Sequence, residues 1–99
     1  MKKDVIENEK RLNELTDLLN ELNEVLDKLE AKTEDLNKLK EYYISEEYMN
    51  DVDISNETDE YDDIACGVLS EDLAYDLLGD SHQTSIRMLE IATKMIKEY

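Results

Sequence analysis

An acidic segment in the middle of the chain has the residue types and spacing of a calcium-binding loop. Its oxygen-bearing side chains follow the ligand positions of an EF-hand: Asp51, Asp53, Ser55, Glu57, Asp59 and Asp62. Three positions depart from that loop, because Asn56 replaces the turn glycine, Thr58 the apolar anchor and Asp62 the longer bidentate glutamate. Residues 45–66 hold nine acids and no base. Such spacing therefore also arises by chance, and a solvated acidic loop is the competing interpretation.

Cys66 and His82 are the two residues with nucleophile and base chemistry, and each occurs once. A nucleophilic pair needs the two in contact and a third group that orients the histidine, and nothing in the sequence indicates either. A buried, inert Cys66 and an exposed His82 are the simpler interpretation. The chain also lacks a Gly-rich phosphate loop and zinc-ligand spacing. We therefore expect no catalytic residue, no cofactor and no enzymatic activity.

The charge balance limits the kinds of partner. The chain carries 27 acids against 11 Lys and Arg, a net charge of −16 at pH 7. Nucleic acids and anionic membranes bind basic patches, so both are disfavoured and a basic protein surface is the natural complement. A lone cysteine forms no internal disulfide, the Met-Lys-Lys-Asp start is unlike a signal peptide, and no apolar run approaches the ~20 residues of a membrane span. These features predict a cytoplasmic protein.

An amphipathic pattern in the first part of the chain predicts one long, coiled-coil-like helix over residues 4–44. Apolar residues recur in steps of three, four or seven, and the chain has two Gly and no Pro to interrupt them. The stripe is a candidate surface for another protein: Leu12, Leu15, Leu18, Leu19, Leu22, Val25, Leu26 and Leu29. The alternative is that these side chains form the core of a monomer. A bend near Ala31–Glu34 stays open.

The rest of the chain predicts a connector and two shorter helices. Residues 45–69 form the acidic connector, with room for one short helical turn. Ser70 is a suitable N-cap for a helix over residues 70–79 that Gly79 ends, and a last helix covers residues 81–98. We expect a single all-α domain over residues 1–99, with these two helices packed back on the first and leaving part of its apolar stripe uncovered.

Several residues after the long helix also resemble a known family. The tyrosine pair Tyr42-Tyr43 with Ser45, Tyr48 followed by Asp51, and above all the run Gly67-Val-Leu-Ser-Glu-Asp72 carry the likeness. With the preceding Leu-rich helix, the chain resembles an uncharacterised bacterial family of short, acidic, helical proteins that is known as a domain of unknown function. The resemblance implies a small cytosolic protein that is not an enzyme.

These features predict a helical protein-interaction module that self-associates, with a homodimer as the simplest assembly. An alternative is an acidic decoy that occludes a basic site on a toxin or on a nucleic-acid-binding protein. A second alternative is weak calcium binding by the acidic connector. The identity of a protein partner does not follow from the sequence.

Overall fold

The structure is a computed structural model that describes residues 1–99, and it is entirely helical, without a strand. Its elements are α1 (Lys2–Ala31), α2 (Thr33–Tyr43), α3 (Glu46–Glu57), a short 3-10 helix (Gly67–Leu69) and α4 (Leu73–Glu98). The chain divides into two compact units, Met1–Asn37 and Lys38–Tyr99. The predicted all-α class and the long N-terminal helix are confirmed.

The first helix ends earlier than the sequence predicts. In place of one helix over residues 4–44, the structure has α1 and α2 with an interruption at Lys32, whose φ of −102° and ψ of 0° are not helical. Its N–H bonds the carbonyl of Leu29, three residues back, at 3.0 Å. The hydroxyl of Thr33 donates to the carbonyl of Glu30 at 2.9 Å. A side chain that bonds the backbone in this way competes with the regular helical pattern.

Ser45 ends the turn between α2 and α3 and begins α3. Its backbone is extended, and its hydroxyl accepts a hydrogen bond from the N–H of Tyr48 at 3.2 Å, which is the geometry of an N-cap. The same hydroxyl donates to the carbonyl of Tyr42 at 2.6 Å. The segment predicted as a connector over residues 45–69 with one short turn therefore contains a 12-residue helix. The acids of this segment do not prevent helix formation, because most of them are exposed and the half-buried Asp51 accepts hydrogen bonds from Tyr42 and Tyr61.

The 3-10 helix joins α3 and α4 in the second unit and contacts both of them. Ala74, at the start of α4, is 4% exposed and is the one buried residue of the chain. A Cβ added to Gly67 would lie 3.5 Å from Cδ1 of Leu73, an ordinary contact, and its φ is not positive. The backbone conformation of Gly67 is therefore one that other residues can also adopt.

Helix α4 is continuous where the sequence predicts two helices, over residues 70–79 and 81–98. Gly79 has no positive φ and does not act as a C-terminal cap. The hydroxyl of Ser81 donates to the carbonyl of Leu78 at 3.0 Å, so this side chain bonds inside the helix rather than capping a new one. Ser70 does accept from the N–H of Leu73, at 3.4 Å, close to its predicted place at the helix start.

The predicted packing of the C-terminal helices on the first helix stays a prediction. None of the helices combines the length and the apolar character needed to cross a membrane.

Candidate interaction surface

The apolar stripe of α1 is the most regular feature of the chain. At about 100° per residue, its eight apolar residues between Leu12 and Leu29 fall on one arc of about 140°. Every position on that arc within this stretch is Leu or Val. The remaining ten positions, from Asn13 to Lys28, are all polar or charged and occupy the opposite side. The helix is thus divided cleanly into an apolar and a polar face, which we call the α1 face and the α1 back.

The α1 face is open to solvent. Its eight side chains are 37–59% exposed, and α1 has no buried residue. The unit Met1–Asn37 contains α1 and only the first residues of α2, so it offers no second element of its own to cover the face. A helix with this division usually buries its apolar face against another helix. All eight residues predicted from the sequence as an interaction surface lie on this face.

A second feature, in the other unit, is a carboxylate held by two tyrosines. Tyr42 of α2 donates from its hydroxyl to Oδ2 of Asp51 at 2.5 Å, and Tyr61, beyond α3, donates to Oδ1 at 2.8 Å. Tyr48 adds ring contacts, with centroids 5.5 Å from Tyr42 in a T-shaped arrangement and 5.1 Å from Tyr43. We call Tyr42, Asp51 and Tyr61 the tyrosine clamp.

The clamp perturbs the acidity of all three groups. The hydrogen bond to Asp51, with partial burial and the nearby negative charge, raises the pKa of Tyr42 to about 12. The same causes raise the pKa of Tyr61. The two phenolic donors lower the pKa of Asp51 below its ordinary value. Each carboxylate oxygen of Asp51 accepts a hydrogen bond, so the arrangement connects α2, α3 and the segment after α3.

The structure does not bring the six predicted calcium ligands together. Asp51, Asp53, Ser55 and Glu57 lie in α3, where each two-residue step turns the side chain by about 200°. Asp59 and Asp62 follow the helix. No group of three or more His, Cys, Asp or Glu side chains is placed to hold a metal ion.

Cys66 and His82 lie in different surroundings. The thiol of Cys66 is partly buried and donates to the backbone carbonyls of Tyr61 and Ile64 at 3.6 and 3.5 Å. His82 is an exposed residue within α4. The acceptors of the thiol are thus carbonyl oxygens rather than an imidazole base.

Sequence reasoning missed the tyrosine clamp. Tyr42 and Tyr61 are nine and ten residues from Asp51 in the sequence. Side chains with this separation do not meet along one helix, so the chain must turn between each tyrosine and Asp51. The tyrosines around the connector were the available signal, but nothing in the sequence singles out Asp51 from its acidic neighbours as their partner.

Fold and surface together define a small all-helical protein with an uncovered amphipathic helix. The chain belongs to the family described as a domain of unknown function (DUF4298), which matches residues 5–91. The resemblance to an uncharacterised domain family is thereby confirmed. Neither the curated proteins nor the solved structures contain a significant match to the chain.

Proposed function

We propose that this protein is a helical protein-interaction module that self-associates through the α1 face and has no enzymatic activity. The observation that carries the proposal is the unbroken apolar arc from Leu12 to Leu29 on a helix whose own unit cannot cover it. Complete burial of such a side chain contributes roughly 1.5–3 kcal/mol. Association that buries the eight side chains of the α1 face would therefore be strongly stabilised.

Two lysines placed on the α1 face test the proposal. Leu19→Lys with Leu22→Lys puts two charges at the centre of the apolar arc, where association would bury them without partners. Analytical ultracentrifugation over a range of concentrations should show assembly of the wild type and monomers of this variant.

The matched control is Asn13→Lys with Asn20→Lys, on the α1 back. It adds the same charge to the same helix and should assemble like the wild type. Circular dichroism on all three chains separates loss of assembly from loss of helix, since an unpartnered helix is itself less stable. A wild-type chain that stays monomeric at every concentration would contradict self-association.

The absence of enzymatic activity is supported by the environment of the reactive side chains. Cys66 bonds backbone carbonyls, and both oxygens of Asp51 are held by phenols. A nucleophilic thiol needs an adjacent base that takes its proton, and the backbone carbonyls bonded to Cys66 are not such a base.

An acidic decoy is the second candidate, and the charge of α3 favours it. Its first turn carries Glu46 and Glu47, and the helix has no base in its last turn. A decoy complex would be held mainly by charge, so its affinity would fall steeply with added salt. A complex formed through the α1 face would not weaken in that way.

A further inference from the structure

We infer that the α1 face of one copy is covered by α1 of a second copy, and that the two helices run antiparallel. This inference rests on the proposed self-association and specifies which element covers the α1 face and in which direction. Three properties of α1 support it: the area of its face, the charges at its two ends, and the spacing of its leucines.

The area of the α1 face is that of a stable interface. At 37–59% exposure, the eight side chains present on the order of 800 Å² in each copy. Complete burial of both faces would remove at most about 1,600 Å² in total, the size of a standard protein–protein interface. The α1 face is therefore large enough to form an interface with a second copy.

The charges along α1 are polarised. Residues 2–11 hold four bases and three acids, a net charge of +1, whereas residues 21–31 hold four acids and one base, a net charge of −3. An antiparallel pair places each basic end beside an acidic end, and a parallel pair places the acidic ends together. Helix dipoles favour the same choice, because antiparallel neighbours align opposite ends.

The heptad spacing allows the antiparallel pair to overlap along all of α1. Leu12 then faces Leu22 of the second copy, and Leu15 faces Leu19. The residues that flank this seam pair with opposite charge, Lys2 beside Glu30 of the second copy. In a parallel pair the corresponding flanking contact is between Asp4 of one copy and Glu9 of the second copy, which repel each other. Flanking charges of this kind set the orientation of paired helices.

Distances between spin labels distinguish the two orientations. In a Cys66→Ser background, Lys3→Cys and Thr16→Cys are labelled in separate chains, and the distance between equivalent labels is measured by pulsed electron paramagnetic resonance. An antiparallel pair puts the labels at position 3 about 40 Å apart along the axis and those at position 16 within about 25 Å. A parallel pair gives a short distance at both positions.

A charge exchange tests the pairing without labels. Lys2→Glu and Glu30→Lys should each weaken self-association severalfold, and the double variant should recover most of the loss. Within one helix these residues lie about 40 Å apart, too far to interact. Recovery therefore requires that they meet between copies, whereas effects that simply add would exclude the antiparallel pair.

The outcomes separate this inference from the proposed function. A short distance at both labels, with assembly intact, overturns the antiparallel orientation and leaves self-association standing. An assembled chain whose Thr16→Cys labels are far apart shows that another surface mediates assembly. If no dipolar coupling between the spin labels is detected and the chain sediments as a monomer, both the antiparallel pair and self-association are overturned. A long distance at position 3 with a short one at position 16 supports the inference.

Discussion

The tyrosine clamp is the most constrained group of side chains in the protein. Tyr42 and Tyr61 share one carboxylate, and the three groups come from α2, α3 and the segment after α3. The folded state prefers the protonated phenol and the ionised carboxylate. For Tyr42, whose pKa is raised to about 12, the stabilisation is complete below the ordinary value of 10.0 and is lost as pH rises from there through about 12. For Asp51 the pKa is lowered, so its contribution is present above 3.8 and is lost as pH falls below it.

Substitution of Asp51 should remove the perturbation of both tyrosines. In Asp51→Asn the charge is lost, so we expect the highest tyrosine pKa to fall from about 12 towards 10.0. Ultraviolet titration of tyrosinate between neutral and strongly alkaline pH measures the change. Asp53→Asn, at an exposed position of the same helix, is the control and should titrate like the wild type. An unchanged titration in Asp51→Asn would show that the clamp does not form in solution.

Calcium should not bind saturably to the acidic segment. Helix α3 spreads Asp51, Asp53 and Glu57 around its axis, whereas a calcium ion needs about six to eight oxygen ligands that converge on it. Isothermal titration calorimetry with calcium should therefore show only weak heats that disappear at physiological salt. A saturable, salt-resistant site lost in Asp59→Asn would mean that the segment leaves the helix to bind the ion, and would revive the EF-hand interpretation.

Among the helices, the sequence predicts the amphipathic character of α1 well, but it predicts helix boundaries and the existence of α3 poorly. The division of α1 into two faces can be predicted from the spacing of its apolar residues alone, because a heptad repeat places them on one side of a helix. The interruption at Lys32 falls within Ala31–Glu34, where the sequence leaves a bend open, and Thr33 bonds the carbonyl of Glu30 there. Helix α3 was missed because its acidic residues obscure the apolar pattern.

Gly79 shows why a local sequence signal for a helix end gives a wrong boundary. Glycine often ends a helix, and its position before Asp80 and Ser81 resembles a stop followed by a new start. In the structure the residue lies inside α4, where the cost of glycine, about 1 kcal/mol relative to alanine, is small beside the hydrogen bonds of a continuous helix.

Replacement of Gly79 by alanine distinguishes the two arrangements. A Cβ at this position meets nothing within 4 Å. Gly79→Ala should therefore increase the free energy of unfolding by about 0.5–1 kcal/mol, measured by urea denaturation. In a left-handed cap the same substitution would destabilise the protein, so a loss of stability would restore the prediction of two helices. Ser85→Ala, within the same helix, is a control with a smaller expected effect.

For the whole molecule, exposed apolar surface favours self-association and net charge opposes it. One residue of 99 is buried, and the eight apolar side chains of the α1 face are exposed. Association would cover that surface, but each copy brings a net charge of −16 to the assembly. The repulsion acts over a long range, whereas burial of leucines acts only on contact.

Self-association should therefore become tighter as salt is added. The screening length falls from about 30 Å at 0.01 M salt to about 10 Å at 0.1 M, which removes most of the repulsion between copies and leaves the apolar contacts intact. Sedimentation equilibrium at both salt concentrations measures the dissociation constant, and a charge-neutral osmolyte at matched osmolality is the control. The ion pairs expected at the ends of α1 are few and exposed and change the affinity only severalfold, so their screening does not reverse the trend. An assembly that dissociates on addition of salt would instead be held by opposite charges, and the α1 face would then not be what joins the copies.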